Sequence, residues 1–218
     1  SSGPDSGAIA CCLEKHRKTF SSYTYFSKED RPTLEKRLSS RGDNNTHTTL
    51  TLGSEEYRIL ADNLRQVLVK MENTKINSFD VVDHRASVAL HKIMDISKKK
   101  DERIFLSGQG GDEIYSNNQS YTFGLPNPKK FDNNLEKIFP WQNFFFGSQL
   151  SYLSKEESIG GSFGLETRYP FLDKSLVQEY LNLKPELKNK YYKSPITNYL
   201  MKFNYPFIKD STKVGFSP

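Results

Sequence analysis

The sequence has no hydrophobic run long enough to cross a membrane, and apolar residues make up 35% of its 218 positions. Its mean hydropathy of −0.68 is typical of a rather polar globular protein. We find no secretory signal peptide and no internal repeat in it. These absences argue against membrane proteins and repeat proteins, and the length is sufficient for one domain with a sizeable core.

Cysteine is also scarce, since only Cys11 and Cys12 are present. The two residues are adjacent and fall on a predicted buried helix, so they cannot easily form a disulfide with each other. This pattern is typical of a protein from a reducing compartment. We therefore predict a cytoplasmic location.

The net charge of +5 is not concentrated in any one segment. The sequence lacks a basic stripe with interleaved aromatic residues, which argues against nucleic-acid binding. The basic run at residues 98–100 is better explained as the solvated end of a helix, where cations complement the helix dipole. We expect neither a nucleic-acid partner nor a membrane partner.

Two glycine-rich turns stand out. Loop 1 is residues 1–7 (SSGPDSG), and loop 2 is residues 107–113 (SGQGGDE). A helix is predicted directly after loop 1, and a short buried strand directly before loop 2. Turns of this kind present backbone N–H donors to an anion. We predict that the loops hold a triphosphate from two sides and that Asp5 and Asp112 share a magnesium ion.

Loop 1 is not a Walker loop, because no Gly-Lys-Ser/Thr sequence ends it. Its Ser-x-Gly-x-Asp-Ser pattern instead resembles the PP-loop, which binds pyrophosphate in enzymes that split ATP into AMP and pyrophosphate. Ser, Gly and Asp are common in ordinary turns, so the match gains its weight from the rest of the chain.

Five blocks in the same order are similar to the synthetase domain of glutamine-hydrolysing asparagine synthetases. The family's Arg-Ala-Ser segment matches at Arg85, its Gly-x-Glu-x-Arg-x-Pro-Phe-Leu-Asp signature begins at Gly164, and its Lys-x-Gly-Phe-Ser element begins at Lys213. Loops 1 and 2 supply the other two blocks. The resemblance runs nearly end to end.

The resemblance implies an ATP-dependent ligase that adenylates the side-chain carboxylate of aspartate for attack by ammonia from glutamine. It implies ATP and Mg²⁺ as cofactors and a glutaminase domain, either in the full-length chain or as a partner. We expect residues 1–218 to be a synthetase domain cut at both ends, without the strand that leads into loop 1. The implied site comprises three groups: catalytic Lys213, Arg85 and Gln109; nucleotide-binding Ser1, Gly3, Asp5, Ser6, Ser107 and Gly108; and the metal ligands Asp5 and Asp112.

Gln109 departs from the family pattern, which has a glutamate in loop 2, and an amide cannot act as a general base. Glu157 is a candidate for the missing carboxylate, although we interpret it as a solvent-exposed residue. Three functions stay open. The chain is an asparagine-forming ligase, a related amidotransferase or cyclase with another acceptor acid, or a nucleotide-binding domain without turnover.

The pattern of segments predicts an α/β fold, with a parallel sheet covered by helices on both faces and a mainly helical C-terminal part. We predict strands at 20–26, 46–52 and 103–106, and helices at 54–72, 83–100 and 174–183. Residues 28–45 are interpreted as a polar, mobile loop. No strand is expected after Glu113, and Glu166 and Arg168 are interpreted as a buried ion pair.

Overall fold

A computed structural model describes residues 1–69, 85–116, 121–122, 125–126, 131 and 148–208. Its helices are α1 (Pro4–Lys15), α2 (Arg31–Ser39), α3 (Ser54–Val69), α4 (Arg85–Lys99), α5 (Gly111–Tyr115), α6 (Ser148–Ser162), α7 (Lys174–Asn182), α8 (Pro185–Lys188) and α9 (Ser194–Lys202). A 3₁₀ turn covers Pro170–Leu172. The strands are β1 (Ser21–Tyr25), β2 (Thr46–Leu50), β3 (Ile104–Leu106), β4 (Tyr121–Thr122), β5 (Leu125–Pro126) and β6 (Glu166–Arg168).

Strands β1 and β2 pair in parallel, and helix α2 lies between them in the sequence. The predicted loop at residues 28–45 is therefore wrong. Two parallel neighbours need a crossover connection, and here that connection is helical. Asp30 starts α2 by accepting a hydrogen bond from the Thr33 N–H at 2.8 Å, and a proline lies in the first turn. The high polarity of this segment hid the helix.

Strand β6 pairs in parallel with β3, so the expectation of no strand after Glu113 is also wrong. Glu166 and Arg168 are exposed while Thr167 between them is buried, which is the alternation of a half-buried strand. The predicted ion pair exists at 2.6 Å, but both side chains are more than half exposed. Charged residues on two of its three positions concealed this strand.

The parallel pairing agrees with the predicted fold class, although the described residues form separate two-stranded pairs rather than one continuous sheet. A third, antiparallel pair joins β4 and β5. The predicted strands at 20–26, 46–52 and 103–106 are confirmed within a few residues. The α3 prediction extends to 72, and residues 70–72 lie outside the described part.

Two hydrophobic cores hold the helices. In the first, α1 packs against α9, and buried Cys11, Tyr115 and Leu200 contribute to it together with Phe171. In the second, α4 packs between α3 and α6 around Leu64, Met94 and Ile159. Truncating such fully buried side chains costs about 2–5 kcal/mol, so each core fixes its helices firmly.

Further sequence-based expectations concern single features. Asp173 starts α7 as predicted, because its side chain accepts hydrogen bonds from the N–H groups of Ser175 and Leu176 at 3.0 Å each. Cys11 is buried and Cys12 exposed, and neither is in a disulfide. Within the described ranges, every helix is too short or too polar to span a membrane.

Candidate nucleotide-binding site

A cavity of about 1650 Å³ lies between the β1–β2 pair and the β3–β6 pair. Its walls include residues from both glycine-rich loops, the start of α4, part of α6 and the segment just before α9. The sequence-predicted residues among its lining are Ser1, Gly3, Asp5, Ser6, Arg85, Ser107, Gly108, Gln109 and Asp112. Residues far apart in the sequence therefore converge on one space.

Hydrogen bonds of its own hydroxyl groups hold loop 1 together. The Ser1 Oγ and Ser6 Oγ are 3.0 Å apart, and Ser1 Oγ also accepts a hydrogen bond from the Gly3 N–H at 3.1 Å. Helix α1 begins directly after Gly3, which provides no side-chain cap. Uncapped N–H groups at a helix start favour an anion, and the loop presents this end of α1 to the cavity.

Arg37 from α2 holds the backbone of loop 1 from behind. Its guanidinium donates to the carbonyl oxygens of Ser1 at 2.5 Å and Gly3 at 3.1 Å, and to that of Pro206 at 2.7 Å. Burial lowers the pKa of Arg37 to about 10, which still leaves it charged at neutral pH. A methyl group on Gly7 would come within 2.4 Å of this guanidinium, so Gly7 is required for the close approach.

Loop 2 packs directly on loop 1 through glycines. A Cβ on Gly108 would lie 3.2 Å from the Asp5 Cβ, and one on Gly111 would lie 2.6 Å from the Asp5 Oδ1. Between them, Gly110 adopts a φ of +89°, in the left-handed region that glycine tolerates. The two loops thus contact each other, with Asp5 at the junction.

Lys193 joins the two predicted metal ligands. Its Nζ is 2.6 Å from Asp5 Oδ2 and 2.8 Å from Asp5 Oδ1, and it is 2.7 Å from Asp112 Oδ1. The Tyr192 hydroxyl also donates to Asp112 Oδ1, at 3.2 Å. The Lys193 side chain is only 2% exposed, and its backbone is left-handed with φ 48°. The sequence predicts that Asp5 and Asp112 share a magnesium ion. The structure brings the two carboxylates together on an ammonium group, and the magnesium site stays a prediction.

One ammonium group lies between two carboxylates at this point, so the three side chains together carry one net negative charge. Burial by itself would lower the pKa of Lys193, but Asp5 and Asp112 more than offset it and raise the pKa above its ordinary value. Two convergent carboxylates also match the oxygen ligands that Mg²⁺ takes in proteins. The described residues contain no cluster of three or more His, Cys, Asp or Glu side chains that would hold a metal by themselves. A magnesium ion would therefore need phosphate or water oxygens as its other ligands.

Arg85, the first residue of α4, is exposed and lines the cavity. Its position is compatible with a contact to a substrate anion. Lys213, the predicted transition-state lysine, lies outside the described residues, and so does His84 in the same block as Arg85.

Gln109 contacts a buried carboxylate. Its Nε2 donates a hydrogen bond to Glu156 Oε1 at 2.9 Å, and Glu156, on α6, also lines the cavity. The neighbouring Glu157 is exposed and accepts a hydrogen bond from the Tyr169 hydroxyl at 2.8 Å, as its interpretation as a surface residue requires. The carboxylate next to loop 2 is thus Glu156, one residue earlier.

Burial raises the pKa of Glu156, and the neighbouring Ser107 hydroxyl, the Gln109 amide and the charge of Lys155 oppose this rise. Lys155 is buried as well, and its burial lowers its own pKa. Two adjacent residues of opposite charge thus lie beneath the surface beside loop 2.

Three site residues escaped the sequence-based predictions: Arg37, Glu156 and Lys193. Arg37 and Lys193 reach loop 1 from 36 and about 190 residues away, so no local motif marks them. Glu156 carried no signal in the sequence either, because Gln149 and Gly160, which are buried seven residues before it and four residues after it in α6, are not apolar. That spacing places all three on one helix face.

Comparison with known proteins identifies relatives for almost the whole chain. The sequence profile of the asparagine synthase family matches residues 1–142 and 145–217. The glutamine-hydrolysing asparagine synthetase of Rattus norvegicus is 28% identical over 200 residues, which cover 86% of this chain and 32% of the rat protein. The Homo sapiens enzyme is 28% identical over 144 residues, covering 63% of this chain and 24% of the human one. The chain therefore spans about a third or less of the length of these relatives.

Proposed function

This chain belongs to the asparagine synthase family, and from that membership and the paired loops we propose that it catalyses ATP-dependent amide formation. The observation that carries the proposal is the convergence of Asp5 from loop 1 and Asp112 from loop 2 on Lys193. A site that splits a nucleotide must hold the leaving phosphates from several sides. The convergence supplies anchoring groups from three distant segments.

The proposed reaction starts with attack of the aspartate side-chain carboxylate on the α-phosphorus of ATP. The bond between the α-phosphorus and its bridging oxygen breaks, and pyrophosphate leaves. Loop 1, through Ser1, Gly3, Asp5 and Ser6, is proposed to bind the leaving phosphates, and Ser107 and Gly108 to bind the nucleotide. The N–H groups at the start of α1, within loop 1, support the proposed binding of the leaving phosphates. Arg85 and Lys213 are proposed to contribute positive charge.

Asp5 and Asp112 are proposed as ligands of Mg²⁺, with Lys193 keeping their side chains together. Their convergence within 2.8 Å of one nitrogen atom supports this assignment. Magnesium supplies positive charge to the phosphates when it is bound. Lys193 would supply a second positive charge to the same two carboxylates.

Ammonia then attacks the acyl carbon, and AMP leaves with its electron pair. Gln109 is proposed to orient the acceptor, because its amide can hydrogen-bond but cannot take a proton. The same amide is the observation that favours a second candidate, a related ligase with another acceptor acid. A panel of acids, tested with and without ammonia, separates the two functions.

We further propose that the chain is the synthetase portion of a longer cytoplasmic enzyme with a glutaminase domain. The human and rat relatives are named as glutamine-hydrolysing, and the matched part of this chain covers 24% and 32% of them, respectively. The unpaired cysteines support a reducing compartment.

The nucleotide products test this proposal. With ATP, magnesium, aspartate and ammonium chloride, we expect AMP, pyrophosphate and asparagine. ADP and orthophosphate as products would refute adenylation. AMP and pyrophosphate with another acid, and none with aspartate, would favour the second candidate.

A further inference from the structure

The acidic side chains that line the cavity differ in what already binds them. Asp5 and Asp112 are ion-paired with Lys193. Glu102 accepts a hydrogen bond from the Tyr23 hydroxyl at 2.7 Å, and Glu113 accepts one from the Gly110 N–H at 3.1 Å. Glu156 alone among these five has a buried oxygen, Oε2, without a hydrogen-bond partner in the described part of the chain. A buried carboxylate oxygen without a partner is costly, so it calls for an explanation.

The contact with Gln109 fixes how this carboxylate is presented. An ionised carboxylate only accepts hydrogen bonds, so the amide must turn its Nε2 toward Glu156. That hydrogen bond occupies Oε1 at 2.9 Å and leaves Oε2 with its lone pairs. Glu156 is thus anchored beside loop 2, next to the residues proposed to bind the nucleotide.

We propose that Glu156 is the proton acceptor of the amide-forming step, reaching the acyl-adenylate beside Gln109. This inference rests on the proposed function. When ammonia bonds to the acyl carbon, its nitrogen acquires a positive charge and must lose a proton. The Glu156 Oε2 takes that proton, and the bond from the acyl carbon to the oxygen of AMP breaks with its electron pair on AMP. Glu156 then returns the proton to water.

The charged surroundings suit a group that must exchange a proton. On the same helix, the charge of Lys155 lowers the pKa of Glu156 and the charge of Glu157 raises it. The charge of Glu156 in turn raises the pKa of Tyr169, which follows β6. The charge of Glu113 on α5 raises the pKa of Lys155. Burial raises the pKa of Glu156 above its ordinary value, and a general base is most effective when its pKa is nearer the working pH.

The test compares three variants with ammonium chloride as the nitrogen source, and it measures pyrophosphate release in the first turnover separately from asparagine formation. Glu156→Gln should lower asparagine formation by about 10²- to 10⁴-fold, the usual contribution of a general base, while pyrophosphate release persists. Glu157→Gln is the matched control, because this neighbouring carboxylate is exposed and binds only Tyr169 among the described residues. It should behave like the wild type.

The third variant exchanges the two side chains. Gln109→Glu combined with Glu156→Gln keeps one amide and one carboxylate in contact and moves the base to loop 2. We expect this exchange variant to form asparagine at least tenfold faster than Glu156→Gln alone, which is a small part of the full contribution of a base. The wild-type rate should fall as the pH drops through the raised pKa of Glu156, because only the carboxylate accepts a proton. Glu156→Gln should lose this acid limb, and the exchange variant should regain one.

Several results would overturn the inference. One is asparagine formation by Glu156→Gln at the rate of Glu157→Gln. Another is an exchange variant that releases pyrophosphate but makes asparagine no faster than Glu156→Gln. Loss of pyrophosphate release in both Glu156 variants would also overturn it, since Glu156 would then act before the amide step. A wild type without aspartate-dependent pyrophosphate release would instead refute the proposed function, before any variant is compared.

Discussion

The two ends of the cavity are stabilised in different ways. At the end proposed to bind phosphates, here called the phosphate end, Asp5 and Asp112 are both ion-paired with the ammonium group of Lys193. At the end proposed to bind the acceptor acid, here called the acceptor end, Glu156 is held through one oxygen by an amide, while its other oxygen has no partner in the described residues. A cluster whose charged groups are ion-paired favours a fixed geometry, whereas a partly satisfied carboxylate retains the capacity to accept a proton. The phosphate end therefore suits binding, and the acceptor end suits proton transfer.

The largest expected effect concerns the two aspartates of the phosphate end. Asp5→Asn and Asp112→Asn should each lower pyrophosphate release by on the order of 10³-fold, the upper range for a lost electrostatic group. Because both are proposed to bind one magnesium ion, the double variant should be little worse than either single variant. Rates of pyrophosphate release for the set measure this, with Asp62→Asn on the surface as control. Fully multiplicative losses would show that the two residues act independently.

Lys193→Ala should lower the free energy of unfolding, because it removes the cation of the phosphate end. It leaves two partly buried carboxylates close together without their cation, and breaking a buried ion pair costs about 3–5 kcal/mol. The free energy of unfolding by denaturant measures the loss. Lys190→Ala is the control, because Lys190 is exposed and close in sequence. Equal stability of the two variants would contradict a stabilising role for these ion pairs.

Gly111→Ala tests whether the loops must touch. The added methyl group would lie 2.6 Å from the Asp5 Oδ1, and such overpacking costs about 1–3 kcal/mol. The rate of pyrophosphate release should fall as well as the stability, since the displaced atom is a proposed metal ligand. Gly161→Ala on α6 meets nothing within 4 Å and should be neutral or stabilising. A wild-type rate of pyrophosphate release by Gly111→Ala would show that the site does not require this close contact between the loops.

The smallest effect is expected away from both ends. Asp173→Ala removes two hydrogen bonds to the N–H groups at the start of α7 and should destabilise the chain by about 1 kcal/mol. We expect no change in kcat, because Asp173 is absent from the lining of the cavity. The unfolding midpoint and kcat, measured together, check both statements. A marked loss of kcat would mean that the end of this helix communicates with the site.

The site residues that the sequence predicts lie in continuous motifs, whereas those that it misses do not. Loops 1 and 2 are continuous motifs whose glycines and aspartates follow directly from local backbone chemistry, so their residues could be named in advance. Glu156 lies in helix α6 and Lys193 in the turn before α9, neither within a motif, and only tertiary packing brings them to the loops. Helix α2 was missed because its buried residue of greatest consequence, Arg37, is charged and disguises the helix face. Strand β6 was missed because two of its three residues carry charge.

The transfer of oxygen from the acceptor to the nucleotide tests the proposed adenylation most directly. Aspartate labelled with oxygen-18 in its side-chain carboxylate is supplied with ATP, magnesium and ammonium chloride, and the products are analysed by mass spectrometry. If the carboxylate attacks the α-phosphorus, one labelled oxygen must leave with AMP when the amide forms. Label in orthophosphate, with unlabelled nucleotide, would show attack at the γ-phosphorus and contradict adenylation.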